Sequence, residues 1–238
     1  VGGIVGGLPV VGGPILLVLA LVHDAAFAQR SATAALLGLI SLAAFVSAYA
    51  ATARRGWRVA LVAAWAAFAL GTVAFAALTK VVHIPPALGL LAACASFVLA
   101  ARLMPTTTPR AAAARGAAPP PAWDLPVRAA CAAAMVLAVT GLSSAVGSRV
   151  SGLLAPAPII TSILAAFTQA QAGIPDALRL LRGMLTGFFA FAAFCFTTAV
   201  LLGHAPLGVA FAVAAMVSVL TSAAVAGGES IGPRPYSR

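Results

Sequence analysis

Residues 151–173 read SGLLAPAPIITSILAAFTQAQAG, and residues 177–202 read ALRLLRGMLTGFFAFAAFCFTTAVLL. Each run supplies the roughly 20 mainly apolar residues that a helix needs to cross a bilayer core. Neither contains a carboxylate, and the only charges are Arg179 and Arg182 near the start of the second run. Working outward, apolar windows bounded by charge, Pro or Gly fall at 4–22, 31–52, 57–79, 85–104, 126–147, 152–172, 179–202 and 206–227. The pattern predicts an all-α, polytopic transmembrane helical bundle of about eight spans.

Composition points the same way. The 238 residues are 63% hydrophobic and 8% charged, whereas a soluble domain carries roughly 25% charged residues. A soluble globular reading is excluded. A net charge of +10 would suggest nucleic acid in a soluble protein. Here the cations stand between apolar windows, as in loops that face a cytoplasm and an anionic leaflet. The expected partner is the lipid bilayer, with no nucleic acid. If the spans alternate sides, the side of Val1 collects Arg54, Arg55, Arg58, Arg102, Arg110, Arg115, Arg128, Arg179, Arg182, Arg234 and Arg238. The other side has Arg30, Lys80 and Arg149, so the split is eleven to three of the 14 Lys and Arg. The positive-inside rule makes the richer side, and the C-terminus with it, cytoplasmic.

Laid over itself with a shift of 149, the chain aligns Gly3 with Gly152, Pro9 with Pro158, Gly38 with Gly187, and Ala43-Ala44-Phe45 with Ala192-Ala193-Phe194. Pro, Gly and Phe at one constant offset predict a duplication. Corresponding windows are five spans apart, an odd number, so the two copies cross the membrane in opposite directions. This is the inverted repeat that many secondary transporters use. The organisation expected is a first repeat at 1–79, a connecting transmembrane helix at 80–104, a Pro/Ala-rich cytoplasmic linker at 105–124, a second repeat at 125–227 and a cytoplasmic tail at 228–238. The second copy has an additional helix, 126–147, ahead of its motif, and its counterpart would end before Val1. The first helix of repeat one is therefore expected to be missing from this sequence.

The second copy, in the two runs quoted first, resembles the small four-helix inner-membrane proteins of the GlpM family. There a Gly-Leu step leads into a Pro-containing span, followed by a short loop and a span opening with an arginine and a glycine. The resemblance covers about residues 126–227, is weaker in the first copy, and implies a multi-pass location in a bacterial inner membrane. The family is linked to alginate production, with no molecular activity implied for this chain. A duplicated, fused form departs from the family's single unit.

The candidate substrate-binding positions are helix breakers inside spans. GGLPVVGGP at residues 6–14 contains Pro9, Gly12, Gly13 and Pro14, and APAP at 155–158 is followed by Thr161 and Ser162. Proline removes a backbone donor and clashes with the preceding turn, which frees carbonyls to line a site on a discontinuous helix. A kinked helix packed through small residues explains the same pattern. Thr168 and Gln169 add polarity late in the same span, either for a solute or at an interface. Arg179 and Arg182 could contact a lipid headgroup or anion, or anchor the cytoplasmic end. Gly38, Gly183 and Gly187 are expected at close helix contacts.

All four acidic residues, Asp24, Asp124, Asp176 and Glu229, fall in loops or at span ends, which argues against an antiporter built on a buried carboxylate. Cys94, Cys131 and Cys195 are isolated in apolar runs, and His23, His83 and His204 are scattered at span ends, so neither a metal nor a cofactor is expected. No catalytic motif is present, and no enzyme activity is expected. Two functional classes remain: a secondary transporter or permease for a small solute, with its site between the repeats, and a non-transporting accessory subunit of envelope or exopolysaccharide biosynthesis.

Overall fold

The computed structural model describes residues 12–22, 24–105, 130, 137 and 152–230. Among them the chain is helical, without strands: α1 (Gly12–Val22), α2 (Ala25–Thr52), α3 (Trp57–Val81), α4 (Pro86–Leu103), α5 (Ile159–Ala172), α6 (Ile174–Leu201) and α7 (Leu207–Ser230). Six stretches are long and apolar enough to cross a membrane: 25–55, 57–81, 86–103, 152–172, 174–201 and 207–225. That set is compatible with a multi-pass integral membrane protein. The window 126–147, apart from residues 130 and 137, and the part of 4–22 before Gly12 lie outside the described residues, as do most of the 105–124 linker and the tail beyond Ser230.

Several helices extend past their apolar windows, for local reasons. α2 begins at Ala25, ahead of the charged Arg30, because Asp24 in an extended conformation caps it: its carboxylate accepts the Phe27 N–H. α6 begins at Ile174, five residues before Arg179, with Pro175 in its first turn, where a missing N–H costs nothing. α7 continues through Gly228 and Glu229 to Ser230. The window 152–172 is interrupted. A helical turn at 152–154 gives way to a break at 155–158, and α5 starts at Ile159.

Two helices form the centre. α2 packs against α1, α3, α4 and α6, and α6 packs against α2, α4, α5 and α7. Their shared core contains Leu36, Leu39, Phe45 and Tyr49 from α2, with Met184, Leu185 and Phe188 from α6 and Phe97 from α4. Phe97 meets Phe188 and Phe189 at centroid separations of 5.9 and 5.2 Å, a favourable edge or tilted arrangement. The outer helices turn apolar side chains outward: Val62, Leu70 and Val73 on α3, Leu91 and Leu99 on α4, and Met216, Val219 and Leu220 on α7 are exposed. Such a belt would be unfavourable in water. It suits hydrocarbon, where helices satisfy their own backbone groups.

Helix boundaries recur at a fixed distance. α2 and α6 are both 28 residues long, and α6 starts and ends 149 positions after α2. α3 and α7 also end 149 apart, at Val81 and Ser230. The residue opening each central helix keeps the same offset. Ala28 N–H donates to the Asp24 carbonyl at 3.1 Å, and Ala177 N–H to the Gly173 carbonyl at 3.2 Å. The outer contacts pair likewise: α3 packs on α5, and Ala20 of α1 shares a small cluster with Ala210 of α7.

Candidate functional site

The break before α5 is held by short-range hydrogen bonds in place of a continuous helix. Ala155 N–H donates to Gly152 O (3.1 Å), Ala157 N–H to Leu154 O (2.9 Å) and Ile159 N–H to Ala157 O (2.9 Å). Pro156 and Pro158 have no N–H to add. The Pro158 carbonyl accepts the first intrahelical bond of α5, from the Ser162 N–H, and the Ser162 hydroxyl as well, so the serine side chain folds back on its own helix.

This irregular segment lies directly on α2. A Cβ added to Gly152 would sit 2.1 Å from Ser31 O and 2.7 Å from Ala34 Cβ. One added to Gly38 would sit 2.5 Å from Leu153 O and 2.7 Å from Pro156 Cγ. Only glycine permits that approach at either position, and small residues at Ala34 and Gly38 make the matching surface. Gly183 and Gly187 lie in α6, half-buried and buried respectively.

On α5, Thr161, Ser162 and Gln169 share one buried face, while Thr168 is half-buried. The Gln169 amide donates to Ala53 O at 2.8 Å, where α2 gives way to a single 3-10 turn at Ala53–Arg55. Its own Oε1 is buried without a partner. Gln29 does similar work at the far end of α6, donating to Ala199 O at 2.9 Å. α1 places Gly13 in a buried position and Pro14 in an exposed one. It packs on α2, while α5 packs on α6 and α3. Pro9 lies outside the described residues, so the level of Pro9 and Pro158 is described from one side only.

Both candidate anion-contacting arginines are committed to protein partners. Arg182 Nη2 donates to Met104 O at 2.9 Å and Ala101 O at 3.3 Å, satisfying carbonyls at the C-terminal end of α4. Arg179 pairs with Asp176 at 2.7 Å on the surface.

A feature marked by no local sequence motif lies at the other end of the α2–α3 hairpin. A cavity of about 300 Å³ opens there, lined by Arg30, Lys80, His83, Thr33, Thr79 and Ile84 among others. Arg30 and Lys80 are two of the three cations assigned by sequence to the charge-poor side, and that anomaly was the available signal. A smaller apolar cleft of about 90 Å³ lies between Trp57 of α3 and Ala166, Phe167 and Ala170 of α5.

Compared with known proteins, the chain matches no family model, no curated protein and no solved structure. Among the described residues, no group of three His, Cys, Asp or Glu side chains is placed to hold a metal ion.

Proposed function

We propose that this protein is a secondary transporter or permease for a small solute, built from two copies of one helical unit that enter the membrane in opposite directions. The observation carrying this reading is the constant 149-residue offset. It relates sequence motifs, the ends of the two 28-residue helices and the hydrogen bonds that open them. A unit used twice, with its central helices packed on each other, is the architecture in which one half rocks against the other. The solute site in this reading lies between the breaks at Pro9, Gly12, Gly13 and Pro14 and at Pro158, Thr161 and Ser162, with Thr168 and Gln169 along the same span.

The test has two parts. Single-cysteine labelling in sealed bacterial membrane vesicles should place Arg54–Arg58 and Arg179 on one side and Lys80 on the other. Any other pattern ends the inverted-repeat reading. Uptake and export profiling of wild type against Pro9→Ala and Pro158→Ala should then reveal at least one solute whose flux both substitutions change. Unchanged flux for all solutes would favour a non-transporting accessory subunit of envelope or exopolysaccharide biosynthesis. One observation favours that second reading: the core that α2 and α6 share contains large side chains such as Phe45, Tyr49, Leu185 and Phe188.

A further inference from the structure

The cavity at the open end of the α2–α3 hairpin has a consistent chemistry. Arg30 lies in the second turn of α2, Lys80 in the last turn of α3, and His83 in the segment leading to α4. Fifty residues apart in sequence, Arg30 and Lys80 meet because the two helices run antiparallel. α3 has 25 residues, so at 1.5 Å per residue the cavity lies about 37 Å from the basic turn at Arg54, Arg55 and Arg58. That distance puts the two basic groups at opposite membrane surfaces.

Among the described residues, no carboxylate lines the cavity and neither Arg30 nor Lys80 is paired with one. The nearby hydroxyls are already donating to their own helices: Thr33 to Gln29 O at 3.0 Å and Thr79 to Phe75 O at 2.9 Å. Among the described residues, the donors left without a partner are therefore the guanidinium, the ammonium and the imidazole. A guanidinium offers a planar fork that matches two oxygens of a phosphate, and an ammonium adds a point charge. The volume is at the lower end of small-molecule sites, which begin at roughly 300 Å³.

The corresponding positions in the second half are different. Arg179 stands 149 residues after Arg30 but carries its own counter-ion in Asp176. The residue 149 after Lys80 is Glu229. Of these matched positions, only Arg30 and Lys80 are cations left without a carboxylate among the described residues. Ordinary interfacial anchoring does not require two cations and a histidine around one cavity.

We infer that Arg30, Lys80 and His83 form a binding site for a phosphate-type oxyanion group, presented either by a free anion or by a lipid headgroup at the surface opposite Arg54–Arg58. This goes beyond the transport reading and stands or falls separately from it, because it is read by binding and not by flux.

The full chain in a neutral detergent is titrated with inorganic phosphate at constant ionic strength, and in parallel with short-chain phosphatidic acid against phosphatidylcholine, following the unfolding temperature. A free-anion site gives saturable stabilisation by phosphate. A headgroup site gives it with phosphatidic acid alone. In either case Lys80→Gln and Arg30→Gln each weaken the apparent affinity by about tenfold or more, Lys80→Arg retains it, and Arg58→Gln at the opposite end leaves it unchanged. All these side chains are exposed, and circular dichroism of each variant checks the fold. The inference is overturned if neither ligand stabilises wild type, or if the stabilisation survives in the Arg30→Gln, Lys80→Gln double variant. An equal weakening by Arg58→Gln also overturns it, since that reports general charge attraction.

Discussion

Arg30 and Arg179 are each the sixth residue of a 28-residue central helix, yet they meet different surroundings. Arg179 holds Asp176, three positions earlier on its own helix, where the first half has Phe27. Arg30 faces a cavity shared with Lys80 and His83. The sixth position of each helix is thus paired with a carboxylate in α6 and, among the described residues, unpaired in α2. The difference teaches that helix length and surface chemistry vary separately: the two helices match in length and in where they start and stop, while the charges at their ends do not.

The largest expected effect breaks the comparison at the point where one half touches the other. α2 belongs to the first half, and Gly152 and Pro156, which lie on it, belong to the second. A Cβ at Gly152 would lie 2.1 Å from the Ser31 carbonyl oxygen, a backbone atom that has nowhere to turn. Gly152→Val should therefore cost about 3 kcal/mol or more, read as a lowered midpoint in denaturant unfolding of the detergent-solubilised protein. Gly208 has no atom within 4 Å of such a Cβ, so Gly208→Ala should be neutral or stabilise by up to about 1 kcal/mol. If the first half closes on α6 as the second closes on α2, Gly3→Val repeats the loss of Gly152→Val. A tolerated Gly3→Val would mean that the likeness does not extend to this contact.

A smaller effect separates the two arginines of α6. Arg182 satisfies two carbonyls at the end of α4 with a half-buried guanidinium. Arg182→Leu should cost about 2 kcal/mol, the scale of a charge-assisted hydrogen bond with its acceptors left behind. Arg179 is 44% exposed and its ion pair is on the surface, so Arg179→Gln should change stability by under about 0.5 kcal/mol. Equal losses in thermal unfolding would show that the surface pair is more strongly coupled than its exposure allows.

The helices themselves were legible because hydrocarbon sets a length that apolar windows must meet. Their starts were less so. The apolar window of α2 stops at Arg30, but a single arginine near a helix end costs little, since its long side chain reaches past the helix to the polar surface. The helix therefore runs back to its cap at Asp24. The break at 155–158 was visible in its prolines, and its close seat on α2 was foreshadowed by the glycine at 38. Contacts made across long separations were not readable. Arg182 reaches Met104 across 78 residues, and Gln169 reaches Ala53 across 116. Nothing local in the sequence marks which carbonyl a side chain will find. Arg30 and Lys80 stand out in the sequence as cations on the charge-poor side, but one sequence does not bring them together; the hairpin does.

The smallest effect concerns the junctions that open the two central helices. Asp24 and Gly173 occupy matching places and share an extended ψ, 171° and 176°, but differ in φ, −163° against 93°. Asp24 lies where any residue is comfortable and contributes a side-chain cap. Gly173 lies where L side chains are disfavoured and contributes none. Asp24→Ala should then cost about 1 kcal/mol through the lost cap, and Asp24→Gly only a few tenths. Gly173→Ala should cost about 1 kcal/mol for the opposite reason, a Cβ forced into a positive φ. The informative variant is Gly173→Asp. If the second junction can relax to the φ of the first, the new carboxylate caps α6 and thermal unfolding shows little loss. If the packing of α5 on α6 and α3 fixes the junction, Gly173→Asp is as costly as Gly173→Ala, and the difference in φ between the two junctions is built into the fold.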